Sequence, residues 1–235
     1  MKLNNFLKAI SNTLYPWSCK VCGASDAVEQ GICRDCLPLL PWCGHACCQC
    51  GQALSNEINH EMICGQCQKK APYFDRLHAA LWYQPPVKQL ITDFKYHQHW
   101  ENIRCLVNLF MKNKPEVYAD SLLVPMPSHA KRIRERGFNA VYEFARLINR
   151  EIKFEYDLNL LKRVKHTETQ TGKTKVQRCV NVKNAFHVSK LLDYENIILF
   201  DEVVTTGATV NEASRILKKA GANNIYIWCI ARTAK

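Results

Sequence analysis

The stretch Ile197-Ile198-Leu199-Phe200-Asp201-Glu202-Val203-Val204-Thr205-Thr206-Gly207-Ala208-Thr209 constrains the fold of this chain more than any other. An apolar, β-branched run over residues 196–200 needs cover on both faces, which suits a buried strand of a parallel sheet. Asp201 and Glu202 then stand at the strand's C-terminal edge, and the loop Val203, Val204, Thr205, Thr206, Gly207, Ala208, Thr209 runs into an amphipathic helix over residues 210–220. The free N–H groups and positive dipole end of a helix start suit a phosphate. Hydroxyls of Thr205, Thr206 and Thr209 can donate to the same anion, while Asp201 and Glu202 can accept from vicinal ribose hydroxyls. Gly207 lets the backbone approach closely. A strand, a turn and a Thr-capped helix would explain the turn but not the paired acids beside it. Gly221 stops the helix, and residues 224–230 supply the next strand. This βαβ unit predicts an α/β fold with a mainly parallel sheet and ligand loops at the strand C-termini.

Upstream, residues 77–83 read as a strand and residues 87–96 as a helix opened by Pro85-Pro86. Further helices are expected over residues 101–112 and 138–150, with a short buried strand over residues 121–124 stopped by Pro125 and Pro127. Lys131, Arg132, Arg134 and Arg136 read as a basic loop after that strand, close in topology to the phosphate loop. Such a loop could hold a diphosphate; a solvated charge run is the competing reading.

The N-terminal quarter has a different texture. Of 13 cysteines, ten fall between Cys19 and Cys67, in a stretch too poor in apolar periodicity to fold on burial alone. Cys19-x2-Cys22 with Cys33-x2-Cys36, and Cys47-x2-Cys50 with Cys64-x2-Cys67, give two sets of four thiolates, which tetrahedral Zn²⁺ accepts in closed, structural sites. Iron–sulfur ligation is the chemical competitor. Cys43, Cys48 and His45 could substitute in the second set. Cys105, Cys179 and Cys229 read as small buried hydrophobes. The expected division is a double zinc ribbon with a short N-terminal helix (Leu3, Phe6, Leu7, Ile10) over residues 1–70, and a second domain over residues 71–235. An odd cysteine total and metal-type spacing point to a reducing compartment, the cytoplasm. No apolar stretch near the N-terminus is long enough for a signal peptide or membrane span.

The strand with its acid pair and Thr-Thr-Gly-x-Thr loop resembles the phosphoribosyl-diphosphate signature of type I phosphoribosyltransferases, with Asp-Glu in place of the commoner Asp-Asp. The resemblance extends over nearly the whole chain to the ComF family, associated with DNA uptake in natural transformation. It is carried by the cysteine knuckles, Asp75-Arg76, Phe94-Lys95-Tyr96-His97, Val124-Pro125-Met126-Pro127 and Arg134-Glu135-Arg136-Gly137-Phe138-Asn139, then Gln170, Arg178, Asn181 and Ala185-Phe186. It implies a type I phosphoribosyltransferase-like domain behind the zinc module. Pro127, Ser128 and His129, with Lys131 and Arg132, would contact the diphosphate. The polar, basic residues 162–178 match the lid of related transferases, with Arg163, Lys165, Lys173 and Lys175 placed to neutralise a leaving group. Mg²⁺ would accompany phosphoribosyl diphosphate, and Asp201 and Glu202 would be the catalytic acids.

A formal charge of +11 favours polyanionic partners. Phosphoribosyl diphosphate is one, with or without turnover. Single-stranded DNA is another, with Tyr73, Phe74, Trp82, Tyr96 and Trp100 available either to stack bases or to pack the core. The family resemblance adds other DNA-uptake proteins as partners.

Overall fold

The computed structural model describes residues 18–25, 31–54, 62–116, 120–164, 184–190 and 192–234. The expected N-terminal helix, Cys179 and most of the lid, including Lys165, Lys173 and Lys175, lie outside the described residues. In chain order the elements are α1 (Gly65–Lys69), β1 (Arg76–Trp82), α2 (Val87–His97), α3 (Trp100–Lys112), β2 (Ser121–Pro125), α4 (Ala130–Arg136), α5 (Ala140–Ile152), β3 (Glu155–Tyr156), β4 (Leu161–Arg163), β5 (Phe186–Val188), β6 (Asn196–Val204), α6 (Ala208–Lys219) and β7 (Asn224–Arg232).

Five strands form one parallel sheet in the order β1-β7-β6-β2-β3, and β4 with β5 forms a separate antiparallel pair. The α/β class with a mainly parallel sheet is therefore as the sequence predicts. Every residue of β2 and the run Ile197–Phe200 of β6 are buried, as expected of strands covered on both faces. The helices α3 and α5 cover one face. Phe110 and Phe144 meet Phe200 at ring separations of 6.3 and 6.4 Å, and Phe94 packs edge-on against Phe144 at 5.4 Å. The crossover from β6 to β7 runs opposite to that from β2 to β3, so right-handed connections put α6 on the other face.

That reversal makes the gap between β2 and β6 a switch point, where the loops leaving adjacent strands diverge and open a crevice. The backbone ladder reaches it at Met126, whose N–H bonds the Phe200 carbonyl at 2.8 Å.

Two expectations need correction. Residues 131–136 are not a loop but most of α4. His129 caps the helix, its Nδ1 accepting from the Lys131 N–H at 3.1 Å, and Gly137 ends it at φ 81°. Lys and Arg are good helix formers, and the Lys131–Glu135 pair lies on one face. β6 also runs four residues past Phe200, because Val203 and Val204 go on pairing with Ala231 and Arg232. The two acids consequently lie inside a strand.

The cysteine-rich segment is bound to the edge of the sheet. Cys43 N–H reaches the Ala80 carbonyl at 3.0 Å, Trp82 N–H reaches Pro41 at 2.6 Å, and Trp42 bridges to Leu81. Gly51 sits at φ 65°, and a Cβ there would come within 2.5 Å of Leu77 Cδ2, so the second knuckle is pressed onto β1.

Candidate functional site

A crevice of about 610 Å³ opens at the C-terminal ends of β2 and β6, within the range of roughly 300–1,000 Å³ usual for small-ligand sites. One wall is the end of β6 and its loop: Val203, Val204, Thr205, Gly207 and Thr209. The facing wall is Met126, Pro127, Ser128 and Arg132 from beyond β2, and Lys95, Tyr96 and Arg163 complete the rim. Of the residues proposed for the loop, Thr206 and Ala208 are not among those lining the crevice; the Thr206 hydroxyl accepts from the Ala208 N–H at 3.3 Å. His129 and Lys131 instead line a shallow depression with Arg134 and Glu135.

Gly207 is the N-cap of α6 with φ 79° and has no side chain to cap the helix, although Thr206 before it takes the Ala208 N–H. A Cβ at Gly207 would meet nothing within 4 Å. Glycine is needed there for its left-handed backbone rather than for close approach.

The two acids are held in different states. Lys95, from α2, forms an ion pair with Glu202 Oε1. Burial pushes the Glu202 carboxyl up, but the Lys95 charge together with hydrogen bonds from Asp201 and Lys95 brings it down to about 2. Asp201 moves the other way. Burial and then the adjacent Glu202 charge raise it well above the usual carboxylate range, against the weaker pull of Lys95. The Asp201 carboxylate oxygen also accepts its neighbour's N–H at 2.9 Å. Glu202 Oε2 is buried and has no hydrogen-bond partner among the described residues. The crevice thus offers an ionised carboxylate with a spare acceptor oxygen and a carboxyl held toward its neutral form.

Basic groups face these acids. Burial and the nearby Arg132 charge lower Arg163 from its usual range, and Asp201 opposes them, so all three belong to one electrostatic cluster. Arg163, at the end of β4, also lies over the Phe186 ring at 5.7 Å.

In the N-terminal segment the Sγ atoms of Cys19, Cys22, Cys33 and Cys36 all lie within 4.8 Å of one another, and so do those of Cys47, Cys50, Cys64 and Cys67. Tetrahedral zinc at about 2.3 Å from each sulfur would separate the sulfurs by about 3.8 Å. Cys22 and Cys33 stand 3.7 Å apart, as do Cys50 and Cys64. Spacing this tight surrounds one ion and would not spread thiolates over the several irons of a cluster. Two zinc sites fit, and Cys43, Cys48 and His45 lie outside both sets. Backbone N–H groups of Cys36, Cys50 and Cys64 point at ligand sulfurs at 3.2–3.5 Å, the support a thiolate needs.

Sequence reasoning gave no role to Lys95 or Arg232. Lys95 stands among the family-resembling residues, yet nothing in its spacing shows that α2 carries it to Glu202. Arg232 is a charged residue ending an apolar strand, and that was its one signal. Of the aromatic candidates, Phe74 is buried, Trp82 is half-buried, and Tyr73, Tyr96 and Trp100 are exposed. Trp100 packs on Phe138 at 4.8 Å, and the Arg136 guanidinium covers the Tyr96 ring at 5.0 Å. Cys105 and Cys229 are buried in the core. No helix among the described residues is long and apolar enough to cross a membrane.

Residues 10–68 match the family described as the double zinc ribbon domain. Competence protein F of Haemophilus influenzae is 32% identical over 89% of this chain and 94% of its own length. DNA utilization protein YhgH of Escherichia coli K12 is 28% identical over 93% and 98%, and Competence protein ComFC of Bacillus subtilis 26% over 87% and 85%. A solved purine phosphoribosyltransferase from Pyrococcus horikoshii, 15% identical and covering 68% of this chain and 89% of its own, aligns with a TM-score of 0.27, too low to argue from.

Proposed function

The chain belongs to the competence protein F (ComF) family, and from that premise we propose that it binds phosphoribosyl diphosphate with Mg²⁺ in the crevice between β2 and β6, in the service of DNA uptake. In this reading residues 1–70 are a zinc-stabilised ribbon and residues 71–235 the binding domain, working in the cytoplasm, where thiolate ligands stay reduced.

The observation that carries the proposal is the acid pair beside a glycine-started helix at a switch point, faced by Arg132 and Arg163. The spare Glu202 Oε2 is a fitting acceptor for a ribose hydroxyl. N–H groups opening α6 and the Thr205 and Thr209 hydroxyls suit the 5′-phosphate. Arg132 and Arg163, beside Ser128, suit the diphosphate. Hard oxygen donors fit Mg²⁺, which Asp201 and Glu202 would hold together with the ligand's own oxygens, and the ion would offset charge on a departing diphosphate. Should C1 of the sugar develop positive charge, the ionised Glu202 would stabilise it electrostatically. Lys95 keeps that carboxylate charged in a buried place.

The net charge of +11 and the exposed Tyr96 and Trp100 favour a second reading, contact with single-stranded DNA along the same rim. Titration at two salt concentrations separates the two. DNA binding should weaken steeply with salt, whereas sugar-phosphate binding should need Mg²⁺ and vanish on neutralising the acid pair.

A further inference from the structure

Arg232 ends β7 and is 3% exposed. Its Nε donates to the carbonyl of Cys50 at 3.2 Å, in the second cysteine quartet. Its Nη1 donates to the carbonyl of Val204 at 3.1 Å and to that of Thr205, the last residue of β6 and the first of the loop after it. One buried guanidinium thus spans a metal knuckle and the candidate phosphate loop. All three of these acceptors are backbone carbonyls, so each carries a large share of what offsets burying the charge.

We infer that Arg232 is a positioning residue that couples the second cysteine quartet to the loop after β6, so that metal in that quartet sets how well the loop binds an anion. A trans peptide unit points its C=O and N–H in opposite directions. The Val204 carbonyl is also held by the Thr233 N–H at 3.0 Å, so it is the Thr205 carbonyl that depends on Arg232; with that carbonyl turned to the guanidinium, the Thr206 N–H points away from it, free for an anion. The guanidinium is fixed at its other end by Cys50, whose carbonyl is held in place by a folded knuckle, and Gly51 beside it is wedged against Leu77. Loss of metal from this quartet frees the Cys50 carbonyl, and Arg232 then loses one of the three groups that fix its plane. The first quartet differs. Lys20 beside it pairs with Glu101 of α3 at 3.4 Å, and Gly31 lies against Cys105 of the same helix, away from the loop.

The inference rests on reading the loop as an anion site, and the test separates the two. Hydrogen exchange of residues 204–211 is measured in full-length wild type, Cys67→Ser, Cys22→Ser, Arg232→Lys and Arg232→Lys/Cys67→Ser, alongside zinc content and inorganic pyrophosphate affinity. Arg232→Lys keeps the charge but loses the planar fork. It should keep two zinc ions while loop exchange rises about tenfold. Cys67→Ser should raise loop exchange alike, Cys22→Ser should not, and the double variant should go no further than either single one. Exchange at residues 197–200 reports that the sheet stays folded. Equal effects of the two cysteine variants, additive effects in the double variant, or an unchanged loop in Arg232→Lys would overturn the coupling. Failure of every form to bind pyrophosphate, with the exchange pattern intact, would overturn the anion reading and leave the coupling standing.

Discussion

Lys95 of α2 forms an ion pair with Glu202 of β6, and both side chains are nearly out of solvent, 14% and 10% exposed. The pair fixes an ionised carboxylate, matched by its ammonium, in the crevice wall next to an acid, Asp201, that burial and the Glu202 charge hold toward its neutral form. Removing one member of a buried pair strands the other. Lys95→Met is expected to cost about 3–5 kcal/mol in urea unfolding, and Lys95→Met/Glu202→Gln to recover most of that. Equal stability of Lys95→Met and wild type would contradict the pair's role.

The two acids predict opposite pH dependences. Glu202 falls from 4.5 to about 2 on folding, so its contribution is complete above pH 4.5 and is lost as pH drops toward 2. Asp201 rises above its ordinary 3.8, so its contribution is present below that value and is lost as pH climbs. Asp201→Asn should therefore stabilise the ligand-free protein at pH 7, with the gain shrinking toward pH 4, while weakening sugar-phosphate binding. Urea midpoints between pH 4 and 8 check this; a uniform loss of stability at every pH would refute it.

How much of this was legible in the sequence depends on the range of the interaction. The cysteine quartets and the strand–loop–helix around Thr205 are local patterns, and the structure keeps both. The basic run at Lys131 was misread as loop because helix propensity and a His129 cap leave little periodic trace in seven residues. Pairing of Val203 and Val204 with Ala231 and Arg232 lengthened β6, a tertiary effect that no window around Asp201 contains. Lys95 lies more than 100 residues from its partner, so it was visible as part of a resembling segment and its role was not.

Gly207 adopts φ 79° with open space around the missing Cβ. Gly207→Ala should cost about 1–2 kcal/mol of stability through backbone strain alone, and Gly207→Asn less, because Asn tolerates the left-handed region. Thermal unfolding of the two variants reads the difference; an equal loss would point to crowding instead.

Native mass spectrometry should find two zinc ions per chain. Cys22→Ser and Cys67→Ser should each retain one, while Cys43→Ser and Cys48→Ser keep both, since neither sulfur belongs to a quartet. Loss of an ion from the Cys43 or Cys48 variant would redraw the ligand sets.

The central claim is the acid pair's hold on a sugar phosphate, and calorimetric titration of phosphoribosyl diphosphate into wild type and Asp201→Asn/Glu202→Gln, with and without Mg²⁺, tests it most directly. The account predicts Mg²⁺-dependent binding in wild type that the double variant loses by at least about tenfold, or about 1.4 kcal/mol. Binding of equal strength in the double variant, or none in zinc-loaded wild type, would contradict it.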